Sequence, residues 1–125
     1  MSALSGVPAF AQAPRVKVKV SVPFAFQIGS HSFPPDEYLF SARDEAVIVQ
    51  KVSGRTVAML LANRLSGHEA GSTGRVVFEC YLEECFVSKV WIAGLDEGRM
   101  VLSSPRERRV ARRTPGVYMA LLGKP

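Results

Sequence analysis

Three observations predict an all-β, mainly antiparallel domain. Residues 16–28 place an apolar side chain at every even position, a two-residue rhythm that a helix cannot produce. Runs rich in Val, Ile, Phe and Leu follow one another across short turns containing Gly, Ser, Asp or Glu. A single helix, with a marked start and stop, interrupts the series. So much apolar sheet surface must be buried against a second layer. The expected architecture is therefore a single-domain β-sandwich or partly open barrel with one short C-terminal helix.

The first strand is expected over residues 16–28, its even face buried and its odd face led by Arg15, Lys17 and Lys19. Exposed lysines on such a face discourage accidental pairing along the edge. Pro23 cannot donate to a ladder, so the strand is at an edge there, bulges, or changes partner. The segment GSHSFPPDEY, 29–38, reads as a loop. Further strands are expected over 38–41, 47–52, 56–63, 75–81, 84–92 and 99–102, with RLSGHEAGSTG as the longest polar loop. Short connections between them imply mostly antiparallel neighbours.

The helix begins at SSPRERRVARR: Ser104 can cap, Pro105 suits the first helical position, and Glu107 stands where a capping-box carboxylate reaches back. Thr114, Pro115 and Gly116 end it. After the stop comes VYMALL, apolar on both faces if extended, which needs cover on two sides from its own domain or from another chain.

A chain of 125 residues with 47% hydrophobic content suffices for one domain with one core. It divides into 1–13, a signal-peptide remnant or apolar arm; 14–114, the β domain with its helix; and 115–125, an apolar tail or strand. In the first part Ala11-Gln12-Ala13 resembles a secretory cleavage site, although the basic residues that open such a signal are missing. The expectation is an exported protein, periplasmic or extracellular. No tract of 18 apolar residues occurs, so no transmembrane helix is expected.

The net charge of +5 is local rather than general. Residues 1–104 hold 10 Lys/Arg against 10 Asp/Glu, and residues 105–125 hold 6 against 1. All of the excess is in the tail, so the charge balance is a weak sign of a specific nucleic-acid binder.

Few residues nominate themselves for chemistry. Cys80 and Cys85 flank YLEE; with Leu82 and Glu83 as the turn, the two cysteines face each other in a narrow, non-hydrogen-bonded pair, near enough for a disulfide. With His31 and His68 in separate loops, their spacing matches no zinc motif. Eight of the eleven acids form the doublets Asp36-Glu37, Asp44-Glu45, Glu83-Glu84 and Asp96-Glu97, all at predicted turns, where solvated side chains are the ordinary case. Neither a nucleophile elbow nor a phosphate-binding glycine pattern is present, and a non-enzyme without metal or cofactor is expected. On the helix Arg106, Arg109 and Arg113 share one side and form a candidate anion-binding face; as a surface helix, its basic end would simply complement the helix dipole.

The segments VSVPFAFQIG with FPPDEY, VVFECYLEECFVSKVW and SPRERRVAR together resemble a family of small, uncharacterised exported proteins common in acidobacterial genomes. There the corresponding patterns are V-P-F-x-F-x-V-G with L-P-A-G-x-Y, a hairpin F-H-x-Y-G-x-x-Y-F-L-S-x-x-W, and a charged helix. The resemblance implies export and a β fold, and brings no activity. Asp36 and Leu82 stand where the family usually has Gly, and the facing cysteines and the apolar tail are not typical of it.

The functional expectation is a non-catalytic extracytoplasmic structural or protein-interaction module that self-assembles by strand addition through its terminal segments. Its partners are then proteins, copies of itself included. The strand-donation candidates are Val117, Tyr118, Met119, Leu121 and Leu122. The alternative is binding of an anionic polymer or envelope surface through Arg106, Arg109 and Arg113.

Overall fold

The computed structural model describes residues 17–67, 73–93 and 97–124. The leader-like segment 1–13, Arg15, Val16, His68 and Asp96 lie outside them.

The two-residue rhythm holds, but as two strands rather than one. Strand β1 (Val18–Val22) and strand β2 (Phe26–Ile28) are separated at Pro23, and they keep different company. β1 lies antiparallel to β4 (Asp36–Arg43), whereas β2 pairs with β3 (His31–Phe33) and, in parallel, with β8 (Glu84–Trp91). The missing N–H of Pro23 marks the place where the ladder must lapse, and the chain changes partner there. Val18, Val20, Val22 and Phe26 are buried, and Phe24 and Ile28 are half-buried against the same core.

The predicted loop over 29–38 is a correction. Gly29, at φ 63°, turns the chain tightly enough for His31–Phe33 to fold back on β2 as a small hairpin. Its prolines come later, and Asp36-Glu37 opens β4 instead of sitting in a turn. The other strands fall where expected, with shifted ends: β5 (Ala46–Lys51), β6 (Thr56–Ser66), β7 (Arg75–Tyr81), β8, β9 (Glu97–Val101) and β10 (Val117–Leu122). Helix α1 (Pro105–Ala111) precedes β10.

All ten described strands belong to one sheet, mostly antiparallel, with the order β1-β4-β5-β6-β9-β8-β2-β3 and with β7 and β10 added beyond β8. Strand β6 joins the two halves. Its first part pairs β5 and its second part, from Ala62, pairs β9. Likewise β8 serves β7 on one edge and both β9 and β2 on the other. Because strands are shared, the sheet is curled rather than split in two. Its far ends touch where the Lys124 N–H donates to the Lys19 carbonyl at 2.7 Å. A partly open barrel describes this arrangement better than two separate sheets.

An aromatic cluster fills the curl. The Phe26 ring meets Tyr38 edge-on at 5.1 Å, Phe78 edge-on at 5.5 Å and Phe33 in a stack at 5.7 Å, while Phe24 meets Phe78 at 5.1 Å. Tyr38 remains satisfied in this apolar setting because its hydroxyl donates to the Pro34 carbonyl at 2.6 Å. The cluster draws one ring or more from each of β2, β3, β4 and β7. Phe26→Ala should therefore lower unfolding free energy by about 3–5 kcal/mol, measurable by urea titration; a loss under about 1 kcal/mol would show that the ring is not central to the core.

Candidate functional site

The β7–β8 hairpin organises the C-terminal part of the molecule. Cys80 is registered opposite Cys85, and Tyr81 opposite Glu84, as the sequence predicts. The cysteines form a disulfide across a Cα separation of 3.9 Å. Closing so short a loop contributes about 2 kcal/mol in the chain-entropy account; its larger effect is to hold the register. The two-residue turn needs a left-handed residue, and Leu82 takes that conformation at φ 58° with its side chain 84% exposed. A glycine at this position would adopt it without the cost of about 1–2 kcal/mol that a side chain incurs.

Helix α1 is fastened to this hairpin from its first turn. Ser104 caps as predicted, accepting the Glu107 N–H at 3.1 Å. The Glu107 carboxylate, expected to reach back to the cap, instead turns into the fold and accepts the Tyr81 hydroxyl at 3.0 Å. The reason is burial: Glu107 and Val110 are on the face of the helix that packs on Tyr81 and Phe86. Burial raises the Glu107 pKa, with the nearby Glu79 carboxylate adding to it and the Tyr81 hydrogen bond opposing it. Burial also drives the Tyr81 pKa upward, so the phenol keeps its proton.

The arginines of the expected anion-binding face separate into two groups. Arg106 donates to Glu84 Oε1 at 2.8 Å, an oxygen that Gln27 also reaches at 2.9 Å, so Arg106 is engaged within the molecule. Arg108 donates to the Ser103 carbonyl at 2.6 Å. Arg109, Arg112 and Arg113 are exposed and form no ion pair among the described residues. A cavity of about 710 Å³ separates the hairpin tip from the helix end; Leu82, Val110 and Arg113 are among its walls.

β10 packs beyond the helix as an edge strand. It pairs antiparallel with β7 from Val117↔Cys80 to Leu122↔Arg75. Leu121 packs on the core, but Val117, Tyr118, Met119 and Leu122 are 64%, 59%, 41% and 71% exposed. Among the described residues, the two-sided cover predicted for VYMALL is thus incomplete. Gly123 donates to the Gly74 carbonyl while Lys124 donates across to Lys19, so odd residues turn their backbone groups to β7 and even residues turn theirs outward. Tyr118, Ala120 and Leu122 therefore present N–H and C=O groups on the free edge. At the end of this seam Glu37 takes hydrogen bonds from Lys124 and, at 3.1 Å, from Ser21, with Lys19 at 3.8 Å. Lys19, read from sequence as an edge guard, serves here to close the curl.

Comparison with protein-family models, with curated proteins and with solved structures finds no match to this chain. The description of the site thus rests on its geometry. Among the described residues no helix is long and apolar enough to cross a membrane, and no group of three or more His, Cys, Asp or Glu side chains converges.

Two carboxylates push acid stability in opposite directions. The Glu37 pKa is lowered, first by the Lys124 hydrogen bond and then by Ser21, so its contribution is present above the ordinary carboxylate value and lost as pH falls through the lowered one. Glu107 is raised, so its stabilising protonated form is complete below 4.5 and is lost as pH rises through the raised value. Glu107→Gln should consequently gain thermal stability relative to the parent as pH goes from 4.5 towards neutrality. A series of thermal melts measures this, and a difference that stays flat with pH removes Glu107 from the account.

Proposed function

We propose that this protein is a non-catalytic interaction module of an oxidising, extracytoplasmic compartment that self-associates by strand addition at β10. The observation that carries the reading is the edge of β10 left without a partner strand among the described residues, with apolar Val117, Tyr118, Met119 and Leu122 exposed beside it. An edge of this kind is a template for pairing with another chain unless charge or proline blocks it, and VYMALL contains neither. The formed disulfide supports an oxidising compartment, where such bonds persist. Two β10 strands meeting antiparallel about a two-fold axis would satisfy both edges at once, giving the closed symmetry usual for homodimers.

Ala120→Pro tests this without touching the core, because the Ala120 N–H faces away from β7 and its loss breaks no existing ladder bond. Light scattering across a concentration series should show the parent chain dimerising and Ala120→Pro remaining monomeric. A parent chain that stays monomeric at millimolar concentration overturns the reading.

A second reading has an observation of its own. The exposed, unpaired guanidinium groups of Arg109, Arg112 and Arg113 are suited to an anionic polymer or envelope surface. With Arg106 committed to Glu84, the binding face moves to these three. On heparin resin, Arg109→Gln with Arg113→Gln should elute at clearly lower salt than the parent, while Arg106→Gln should change elution less. Equal elution of all three proteins removes this reading.

A further inference from the structure

A second opening in the sheet lies far from β10 in the strand order. Among the described residues β3 is the last strand on its side and is paired only with β2. β6 pairs β9 only from Ala62 onward, so its first residues have a ladder to β5 on one edge and none on the other among the described residues. The direction of that free edge follows from two hydrogen bonds. Ala62 donates to the Glu45 carbonyl on the β5 side, and the Leu61 carbonyl accepts from Leu102 on the opposite side. By alternation along the strand, Met59 turns its N–H and C=O to the same open side as Leu61.

Between β3 and the start of β6 is an open groove of about 710 Å³. Its apolar surface comes from Ile28 and Phe33 on one bank and Val57, Ala58 and Met59 on the other. Its polar surface is one-sided in charge. Lys51 and Arg55 line it, with His31 and the hydroxyls of Ser32 and Thr56, and among the described residues no Asp or Glu does. Lys51 is ion-paired with Asp36 at 3.4 Å, so the cation left to meet a partner among the described residues is Arg55, exposed in the β5–β6 turn.

We infer that this groove binds an extended peptide segment bearing carboxylates, added as a strand between β3 and β6. Free strand edges supply main-chain donors and acceptors, which is the affinity-giving part of strand addition, and pockets for alternate side chains supply selectivity. Successive side chains of an extended peptide point to opposite faces. One set can therefore rest on Phe33 and Val57, which pack against the core, while the other lies beside the exposed Met59 and Arg55. Charge complementarity selects an acidic partner and disfavours a basic one. The VYMALL strand of a second copy has no charge to offer this rim, so the groove and the β10 edge serve different partners.

The test uses the whole protein and a dye-labelled short peptide of alternating glutamate and valine, read by fluorescence anisotropy. Three controls accompany it: the lysine–valine counterpart, the glutamate–valine peptide N-methylated on alternate residues, and free octanoate as competitor. Binding of the acidic peptide is expected, weakening with salt, with at least about tenfold loss for Arg55→Glu and for the N-methylated peptide. Near-ultraviolet circular dichroism checks that Arg55→Glu keeps the parent fold. Equal affinity for the basic peptide, unchanged affinity in Arg55→Glu, or indifference to N-methylation overturns the inference. So does displacement by octanoate at concentrations equal to the peptide, which would assign the groove to small amphipathic acids.

Discussion

The Phe26 side chain and the rings around it are the constraint on which the rest of the structure depends. A curled sheet of this size has two halves that diverge wherever no strand is shared. Phe24 and Phe26, carried inward just after Pro23, join them by meeting Phe78 of β7 and Tyr38 of β4. Edge-on aromatic contacts add about 0.5–1.5 kcal/mol each to the area they bury. The change of partner at Pro23 is thus what allows one continuous stretch of chain to tie the β1–β4 side to the β7–β8 side.

The same economy of strands leaves two openings. At one, β10 nears β1, the Lys124 N–H just beyond it bonds the Lys19 carbonyl, and the ion pairs of Glu37 with Lys19 and Lys124 close the last part of the seam. At the other, β3 ends after three residues and β6 has already bent away toward β9. Unpaired backbone flanked by apolar side chains is an unusual surface for a chain on its own. The two strand edges differ in charge: VYMALL carries none, and the groove beside β3 is lined by Lys51 and Arg55.

Between the openings, the hairpin and helix form a rigid corner. The disulfide holds the register of β7 and β8, and that register places Tyr81 to receive Glu107 and Glu84 to receive Arg106. A left-handed Leu82 is tolerated at the turn because the covalent bond next to it over-determines the geometry. The helix, only seven residues long, owes its position to this corner more than to its own propensity.

Much of this was legible in the residues themselves. The even-numbered burial of β1 and β2, the facing cysteines, the Ser104 cap and the extended form of VYMALL all follow from spacing, because strand alternation and helix capping are local rules. The candidate site was legible in part: β10 was expected as a strand, but the groove beside β3 was not, since the three residues of β3, His31–Phe33, carry no periodic signal. What only the tertiary structure decided depends on which distant residues meet. Arg106 was indistinguishable from Arg109 until Glu84 came within 2.8 Å of it. Glu107 read as a capping-box carboxylate until Tyr81 and the core closed over it. Lys19 was a guard on an open edge until Lys124 and Glu37 arrived. Sequence determines which face of each element is apolar, through intervals of two or three residues. It leaves unstated the long-range pairing that turns a free charge into a bound one and an edge into a groove.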